Sequence, residues 1–357
     1  MESKIKYMPT FRSRQQEIIV LKSFDFGDQM FPLLEIVKEH DRERKDQKSF
    51  SEIYIELIAS IKAQHVFVDL PLYLKETGSM QKEVFMFSRG IIADPERRTQ
   101  HLLMLKDLNS KIIPVVSSYI IKTGEQGTLG RQVMELRSNF QIICFRTYVT
   151  TFENEIDEIE KSISSEDFLI LDLDSLPPYP TSPVLRKIVQ RFINITSQNK
   201  IVLRSAINTD IQNVTLEHGG IIYEADNSLI ETYKRFGAIA FGDYVGVKKD
   251  DLTAGGTISP GFIYYDAEEN QYYGFKGDIK SLSEFERTIV PDVIASEATH
   301  RMQISPLDYL SIENNGWETL NQISQGIESG KSQAKFKKIA MEHYLHCMRM
   351  KINAGQL

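Results

Sequence analysis

The chain has only two cysteines, Cys144 and Cys347, among its 357 residues. Two cysteines cannot form the disulfide framework of a small secreted domain, and no CxxC pair is present to hold a structural zinc ion. No apolar run approaches the roughly 18 residues of a membrane span, and residues 1–17 lack the apolar segment of a signal peptide. These absences predict a cytoplasmic protein with no membrane partner.

Positive charge and phosphate-binding motifs are also scarce. The 42 basic residues are outnumbered by 49 acidic ones, which gives a net charge of −7 and argues against a nucleic-acid partner. The sequence has no GxxxxGK[ST] and no GxGxxG after a strand, so it has neither a P-loop nor a dinucleotide-binding fingerprint. Its length fits two or three ordinary domains or one large α/β barrel.

Short apolar runs alternate with segments of helical periodicity along most of the chain. A helical pattern lies between each neighbouring pair of runs, and Asp94-Pro95 is typical of the N-cap and first turn of such a helix. The eight runs are residues 30–37, 65–69, 111–117, 141–146, 167–174, 200–205, 221–224 and 239–243. Eight consecutive βα couplets predict an α/β fold, a (β/α)8 barrel of the TIM type, with an open doubly wound sheet as the alternative.

The regular alternation ends after the eighth run. Two aromatic-rich segments flank a polar turn and predict a β-hairpin over residues 261–276, inserted after the eighth strand. We expect the barrel, with a short N-terminal helix near residues 14–22, to span residues 1–300. A C-terminal helical extension is predicted for residues 301–357.

Charged side chains end seven of the eight predicted strands, and Ser117 ends the other. In a parallel barrel the C-terminal ends of the strands form the face that carries active sites. We therefore expect these side chains to meet at the barrel mouth. The charged members are Glu35, Asp69, Arg146, Asp172 with Asp174, Arg204, Glu224 and Asp243.

This mixture of acids and arginines predicts a site for a hard cation together with an anion. Carboxylate oxygens suit Mg²⁺ or Mn²⁺, so Asp172 and Asp174 are the candidate metal ligands. Arginine binds phosphate through paired donors, which makes Arg146 and Arg204 a candidate anion clamp. The predicted ligand is a phosphorylated or nucleotide-like small molecule, with Glu35 and Asp69 also lining its site.

Catalysis is the second part of this prediction. Glu224 or Asp243 is the candidate general base of a metal-dependent phosphoester hydrolase, and Asp172 is a further catalytic candidate because it would bind the metal. The alternative is that the acids and arginines only neutralise each other in a structural network.

Several short motifs resemble the beta protein family of phage and bacterial genomes. They are YMPTFRSRQQE at residues 7–17, FPLLE at residues 31–35, FGD at residues 241–243 and THR at residues 299–301. The resemblance spans most of the chain and implies a protein of mobile elements or antiviral defence. It adds Arg12, Arg14, Gln15, Glu17 and His300 to the candidate site residues, of which Arg14 and His300 are candidate ligand-binding residues. The alternative is an Arg–Glu network that joins the N-terminal segment to the barrel.

A basic segment near the C-terminus supports a hypothesis of another class. Residues 331–351 contain six basic residues and one acid, with apolar residues at helical spacing. We expect this helix to dock on the barrel. The competing interpretation is a partner surface, which would make the protein a non-catalytic sensor or scaffold that binds another protein through this helix or the barrel mouth.

Overall fold

A closed barrel of eight parallel strands forms the centre of the protein. The computed structural model describes residues 4–39, 48–74, 80–179, 182–249, 252 and 258–357. The strands in this part of the chain are β1 (Tyr7–Arg12), β2 (Asp25–Gly27), β3 (Leu33–Glu35), β4 (Lys62–Ala63), β5 (Val66–Asp69), β6 (Ile112–Val116), β7 (Cys144–Tyr148), β8 (Phe168–Asp172), β9 (Asn199–Leu203), β10 (Gly220–Ile221), β11 (Ala240–Asp243), β12 (Gly261–Asp266) and β13 (Gln271–Lys276).

The barrel runs in the order β1, β3, β5, β6, β7, β8, β9, β11 and closes between β11 and β1. At the closure Pro9 lies opposite Asp243, while on the other edge of β1 Arg12 lies opposite Glu35. The strands are buried on both faces because helices surround the sheet and side chains fill its interior. The predicted fold class, a TIM-like barrel, is confirmed.

Two barrel strands differ from the prediction. The first is β1, in a segment noted above only for its family resemblance, because Pro9, Thr10 and Arg12 interrupt the apolar pattern that marks a buried strand. The prediction that residues 221–224 form a barrel strand is wrong. Instead, β10 pairs antiparallel with β13 of the hairpin, which a run of two or three apolar residues cannot reveal. The barrel therefore has eight strands, as predicted, but β1 takes the place of the strand predicted at residues 221–224.

Helices fill most connections between the strands. They are α1 (Gln15–Ser23), α2 (Phe50–Ser60), α3 (Lys82–Ala93), α4 (Pro95–Leu103), α5 (Ile120–Thr123), α6 (Thr128–Arg137), α7 (Phe152–Ser162), α8 (Pro183–Asn194), α9 (Leu229–Thr232), α10 (Val290–Ile294), α11 (Glu297–Ile304), α12 (Asn315–Ser324) and α13 (Gln333–Asn353). The predicted cap of α4 is confirmed, since Asp94 Oδ1 accepts the Arg97 amide at 3.0 Å. The predicted N-terminal helix is α1, which follows the first barrel strand.

The hairpin β12–β13 and the helix α13 lie against the barrel. Both hairpin strands fall within the predicted residues 261–276. Helix α13 packs against α1, α12 and β12, and its buried face confirms the predicted docking. One hydrophobic cluster contains residues from the barrel strands and from α13, such as Phe11 and Phe336. The predicted domain boundary near residue 300 stays a prediction.

Gly316 of α12 lies against the backbone of α13 with no room for a side chain. A Cβ on Gly316 would lie 2.7 Å from the His343 amide nitrogen and would also meet the Ile339 carbonyl oxygen. We expect Gly316→Ala to lower the free energy of unfolding by about 1–3 kcal/mol, because neither backbone atom can move freely. The matched control is Gly130→Ala in α6, where the nearest atom is 3.8 Å away and alanine favours the helix. Urea denaturation of both variants checks this, and equal effects would contradict it.

Candidate functional site

Arg146 of β7 lies at the centre of the C-terminal face of the barrel. Its side chain is fully buried among three carboxylates, Asp172 from the adjacent strand β8 and Glu35 and Asp69 from β3 and β5, which do not pair with β7. The Nη1 group donates to Glu35 Oε1 and to Asp69 Oδ2, both at 2.7 Å. The Nη2 group donates to Asp172 Oδ2 at 2.6 Å, and Nε donates to the same oxygen at 3.2 Å. Four predicted site residues therefore meet, as the barrel geometry implied.

The guanidinium of Arg146 is fully used inside the protein. It has five N–H donors, and the fifth contact is Nη2 to the Tyr244 hydroxyl at 3.3 Å. The rings of Tyr73 and Tyr148 lie over it, each with its centroid 5.3 Å away. An anion clamp needs donors that face a ligand, so the prediction that Arg146 binds phosphate finds no support in this geometry.

A second buried arginine extends the same network. Arg98 of α4 donates through Nη2 to Asp69 Oδ1 at 2.8 Å, and Tyr73 donates its hydroxyl to Glu35 Oε2 at 2.6 Å. Sequence reasoning missed Arg98 because it examined strand ends only. Arg98 precedes the apolar Leu102 by one helical turn, so the two residues share the face of α4 that packs inward. This spacing could have indicated that Arg98 is buried. We call Arg146, Arg98, Glu35, Asp69 and Asp172 the arginine cluster.

The two predicted metal ligands, Asp172 and Asp174, do not come together in a metal-binding arrangement. Asp172 Oδ2 accepts from Arg146, and Asp172 Oδ1 accepts the Asp174 amide at 2.8 Å. The Asp174 carboxylate pairs with Lys249 Nζ at 3.1 Å. Among the residues that the structure describes, no group of three or more His, Cys, Asp or Glu side chains is arranged to hold a metal ion. The Mg²⁺ or Mn²⁺ site stays a prediction without a geometric basis.

Asp243 joins the barrel to the C-terminal helix. Tyr7 of β1 donates its hydroxyl to Asp243 Oδ1 at 2.5 Å, and Tyr344 of α13 donates to Oδ2. The Val245 amide also donates to Oδ1, at 2.8 Å. Burial raises the pKa of Asp243 to about 6, although the hydrogen bonds from Tyr344, Tyr7 and Val245 act to lower it. The buried carboxylate has three donors, which favours a structural role over the predicted general base.

The remaining strand-end and motif predictions fall outside this centre. Arg204 donates to the Leu176 carbonyl oxygen at 2.7 Å and to the Asp226 carbonyl, so it ties two loops together. Glu224 is exposed in the turn after β10, and the prediction that it ends a barrel strand is wrong. His300 is exposed on α11.

Two cavities open at the C-terminal face. The basic cavity has a volume of about 730 Å³ and lies beside the start of α1, between α13 and the hairpin. The mouth cavity, about 660 Å³, lies over the ends of β5 to β8. Lys248 lines the basic cavity and Lys249 the mouth cavity, so consecutive residues after β11 face different sites. Volumes of this size are typical of small-molecule sites.

One charged residue in the lining of each cavity bears on its function, namely Arg14 in the basic cavity and Glu155 in the mouth cavity. Arg14, predicted from the family resemblance, lines the basic cavity. Glu155 of α7 lines the mouth cavity and was missed, because it lies in an acidic helix whose charges look solvated. Burial raises the pKa of Glu155 to about 7, against the hydrogen bonds from Thr147 and Thr151. Carboxyl groups with such shifted pKa values are enriched at functional sites.

The closed parallel sheet, its helices and the two cavities at the C-terminal face define a TIM-like barrel protein. A sequence model of the Beta protein family matches residues 7–349, and the chain belongs to that family. A search of curated proteins finds no match to the sequence. Within the described ranges, no helix is long and apolar enough to cross a bilayer.

Proposed function

We propose that this protein binds a phosphorylated small molecule in the basic cavity. The observation that supports the proposal is the charge of the lining. Among the residues that the structure describes, four basic side chains and one carboxylate line the cavity. The basic residues are Arg14, Lys38, Lys248 and Lys337. Phosphate groups bind where several cationic donors converge in a partly enclosed space.

The single carboxylate in the lining is already neutralised. Glu17 is buried, and its Oε1 lies 3.3 Å from Lys337 Nζ and 3.7 Å from Arg12 Nε. Arg12 is itself buried. Among the described lining residues, basic side chains therefore outnumber carboxylates, in contrast to the excess of acids over the whole chain.

The first turn of α1 adds backbone donors to this surface. Ser13 to Glu17 line the cavity, and the N-cap residue Arg14 makes no side-chain capping hydrogen bond. The first amides of a helix have no partner within the helix, and the helix dipole favours an anion there. Lys248 is held towards the cavity by a hydrogen bond from its Nζ to the Ile211 carbonyl at 2.8 Å.

The proposal is tested by titrating the protein with pyrophosphate and adenosine triphosphate in a calorimeter. We expect binding that weakens with added salt, and about a 10-fold loss for Lys248→Ala or Arg14→Ala, which is the effect of one charge-assisted hydrogen bond. Lys187→Ala, an exposed lysine of α8, is the control with the same change of charge. Binding that is absent, or equal in all three variants, would contradict the proposal.

The predicted hydrolase activity and defence setting have weaker support. Of the acids proposed for catalysis, Asp172 is paired with Arg146, Asp243 accepts hydrogen bonds from Tyr7 and Tyr344, and Glu224 is exposed in a turn. The setting in antiviral defence rests on the family resemblance. A partner surface on the basic helix has less support than the cavity. Within the described residues, Lys335, Lys337 and Lys338 of α13 pair with Glu328, Glu17 and Glu342.

A further inference from the structure

The mouth cavity has a lining of a different chemical kind. Its walls combine apolar side chains with two tyrosines and a group of aliphatic hydroxyls. The apolar residues include Leu72, Leu74, Ile121, Val149, Leu173 and Leu176. The hydroxyls belong to Ser117, Ser118, Thr150, Thr151, Ser175 and Thr209. A ligand with an apolar face and several hydroxyl groups would complement both parts.

The acidic charges of this cavity are compensated by the protein itself. Asp172 is paired with Arg146, and Asp174 with Lys249. Lys249 Nζ also lies 3.8 Å from the centroid of the Tyr73 ring, a cation–π contact that holds the ammonium against the wall. Lys122 also lines the cavity, so the described lining has two lysines and three acids, and neither sign predominates as basic residues do in the basic cavity.

Glu155, the third acid of the lining, carries only part of a negative charge near neutral pH. Its side chain is 4% exposed, and its Oε2 accepts the Thr147 hydroxyl at 2.7 Å. Because its pKa is raised to about 7, the carboxyl is partly protonated at neutral pH. A protonated carboxyl can both donate a hydrogen bond and accept one, which suits a ligand hydroxyl.

We propose that the mouth cavity is a second binding site that takes an uncharged sugar ring. The hydroxyls of the lining would bond to the ring hydroxyls, and the apolar wall with Tyr148 would pack against the C–H face of the ring. Such a ring occurs free in monosaccharides and attached to a base in nucleosides. This site is separate from the phosphate site proposed above and does not depend on it.

The test uses saturation-transfer NMR of the full chain with ribose, glucose, adenosine and uridine as probes. The blocking variant is Thr150→Trp, because Thr150 is exposed and lines the mouth cavity, so an indole can fill it without disturbing the core. Val184→Trp, exposed on α8, is the control for an added tryptophan. Lys248→Ala reports on the basic cavity.

We expect at least one sugar-containing probe to bind, with the signal lost in Thr150→Trp and kept in Val184→Trp and Lys248→Ala. Ribose and glucose binding as well as the nucleosides would identify a free sugar. Binding of the nucleosides alone would identify a nucleoside. The proposal is overturned if none of the four probes binds, if Thr150→Trp leaves the signal unchanged, or if Lys248→Ala removes it.

Discussion

Arg146→Met is expected to destabilise the protein by about 3–5 kcal/mol at pH 7, the cost of removing one partner from a buried ion pair. The loss falls in the upper part of that range because three carboxylates share this guanidinium. Methionine keeps a flexible, unbranched side chain while removing every donor. The measurement is the free energy of unfolding from urea titration.

Two comparison variants make this expectation specific. Arg146→Lys keeps the charge but supplies three donors in place of five, so it is expected to lie between Met and the wild type. Arg191→Met removes a partly exposed arginine of α8 that pairs with Asp157 and Glu160, and such pairs contribute less than about 1 kcal/mol. A loss below that value for Arg146→Met would show that the arginine cluster is not a structural centre.

Glu155→Gln is expected to stabilise the protein at pH 8.5 by about 3–4 kcal/mol and to leave it nearly unchanged at pH 4.5. In the folded protein the pKa of Glu155 is about 7, above its ordinary value of 4.5. The native state therefore holds this proton to higher pH than the unfolded state does. The contribution of Glu155 to stability falls as pH rises from about 4.5 to about 7, at roughly 1.4 kcal/mol per unit of pKa difference. Glutamine never ionises and avoids this loss.

The measurement is the difference in unfolding free energy between variant and wild type at each pH, which removes the contributions of other titrating groups. Glu153→Gln is the matched control, because Glu153 lies in the same helix with its side chain 59% exposed. Its effect is expected to stay within about 0.5 kcal/mol at both pH values. A Glu155→Gln effect that does not change with pH would contradict the raised pKa.

The barrel and the meeting of its strand ends could be predicted from the sequence for one reason. Buried parallel strands need continuous apolar runs, and barrel closure brings their C-terminal ends to one face. Glu35, Asp69, Arg146 and Asp172 met for that reason. What they do once they meet depends on side-chain reach and direction. Spacing along the chain could not show that the N–H donors of Arg146 would all bond to neighbouring side chains of the protein.

Most of the residues that could not be predicted to reach the site lie in helices and loops, and one barrel strand was also missed. Arg98, Tyr244 and Lys249 contact the cluster or line the mouth from positions that no strand-end pattern selects. The first strand was missed because its polar residues Thr10 and Arg12 are buried by tertiary contacts. Glu155 was missed because an exposed and a buried glutamate look the same in an acidic helix.

The closure of the barrel has a consequence for synthesis on the ribosome. One edge of β1 can pair with β3 as soon as residue 35 is made, but its other edge pairs only with β11, at residues 240–243. At about 5–20 residues per second, that edge waits roughly 10–40 seconds for its partner. An unpaired strand edge invites pairing with other chains. Tyr344 reaches Asp243 only when α13 has been made, 101 residues further along the chain, so the contact that ties this helix to the closed barrel forms later still.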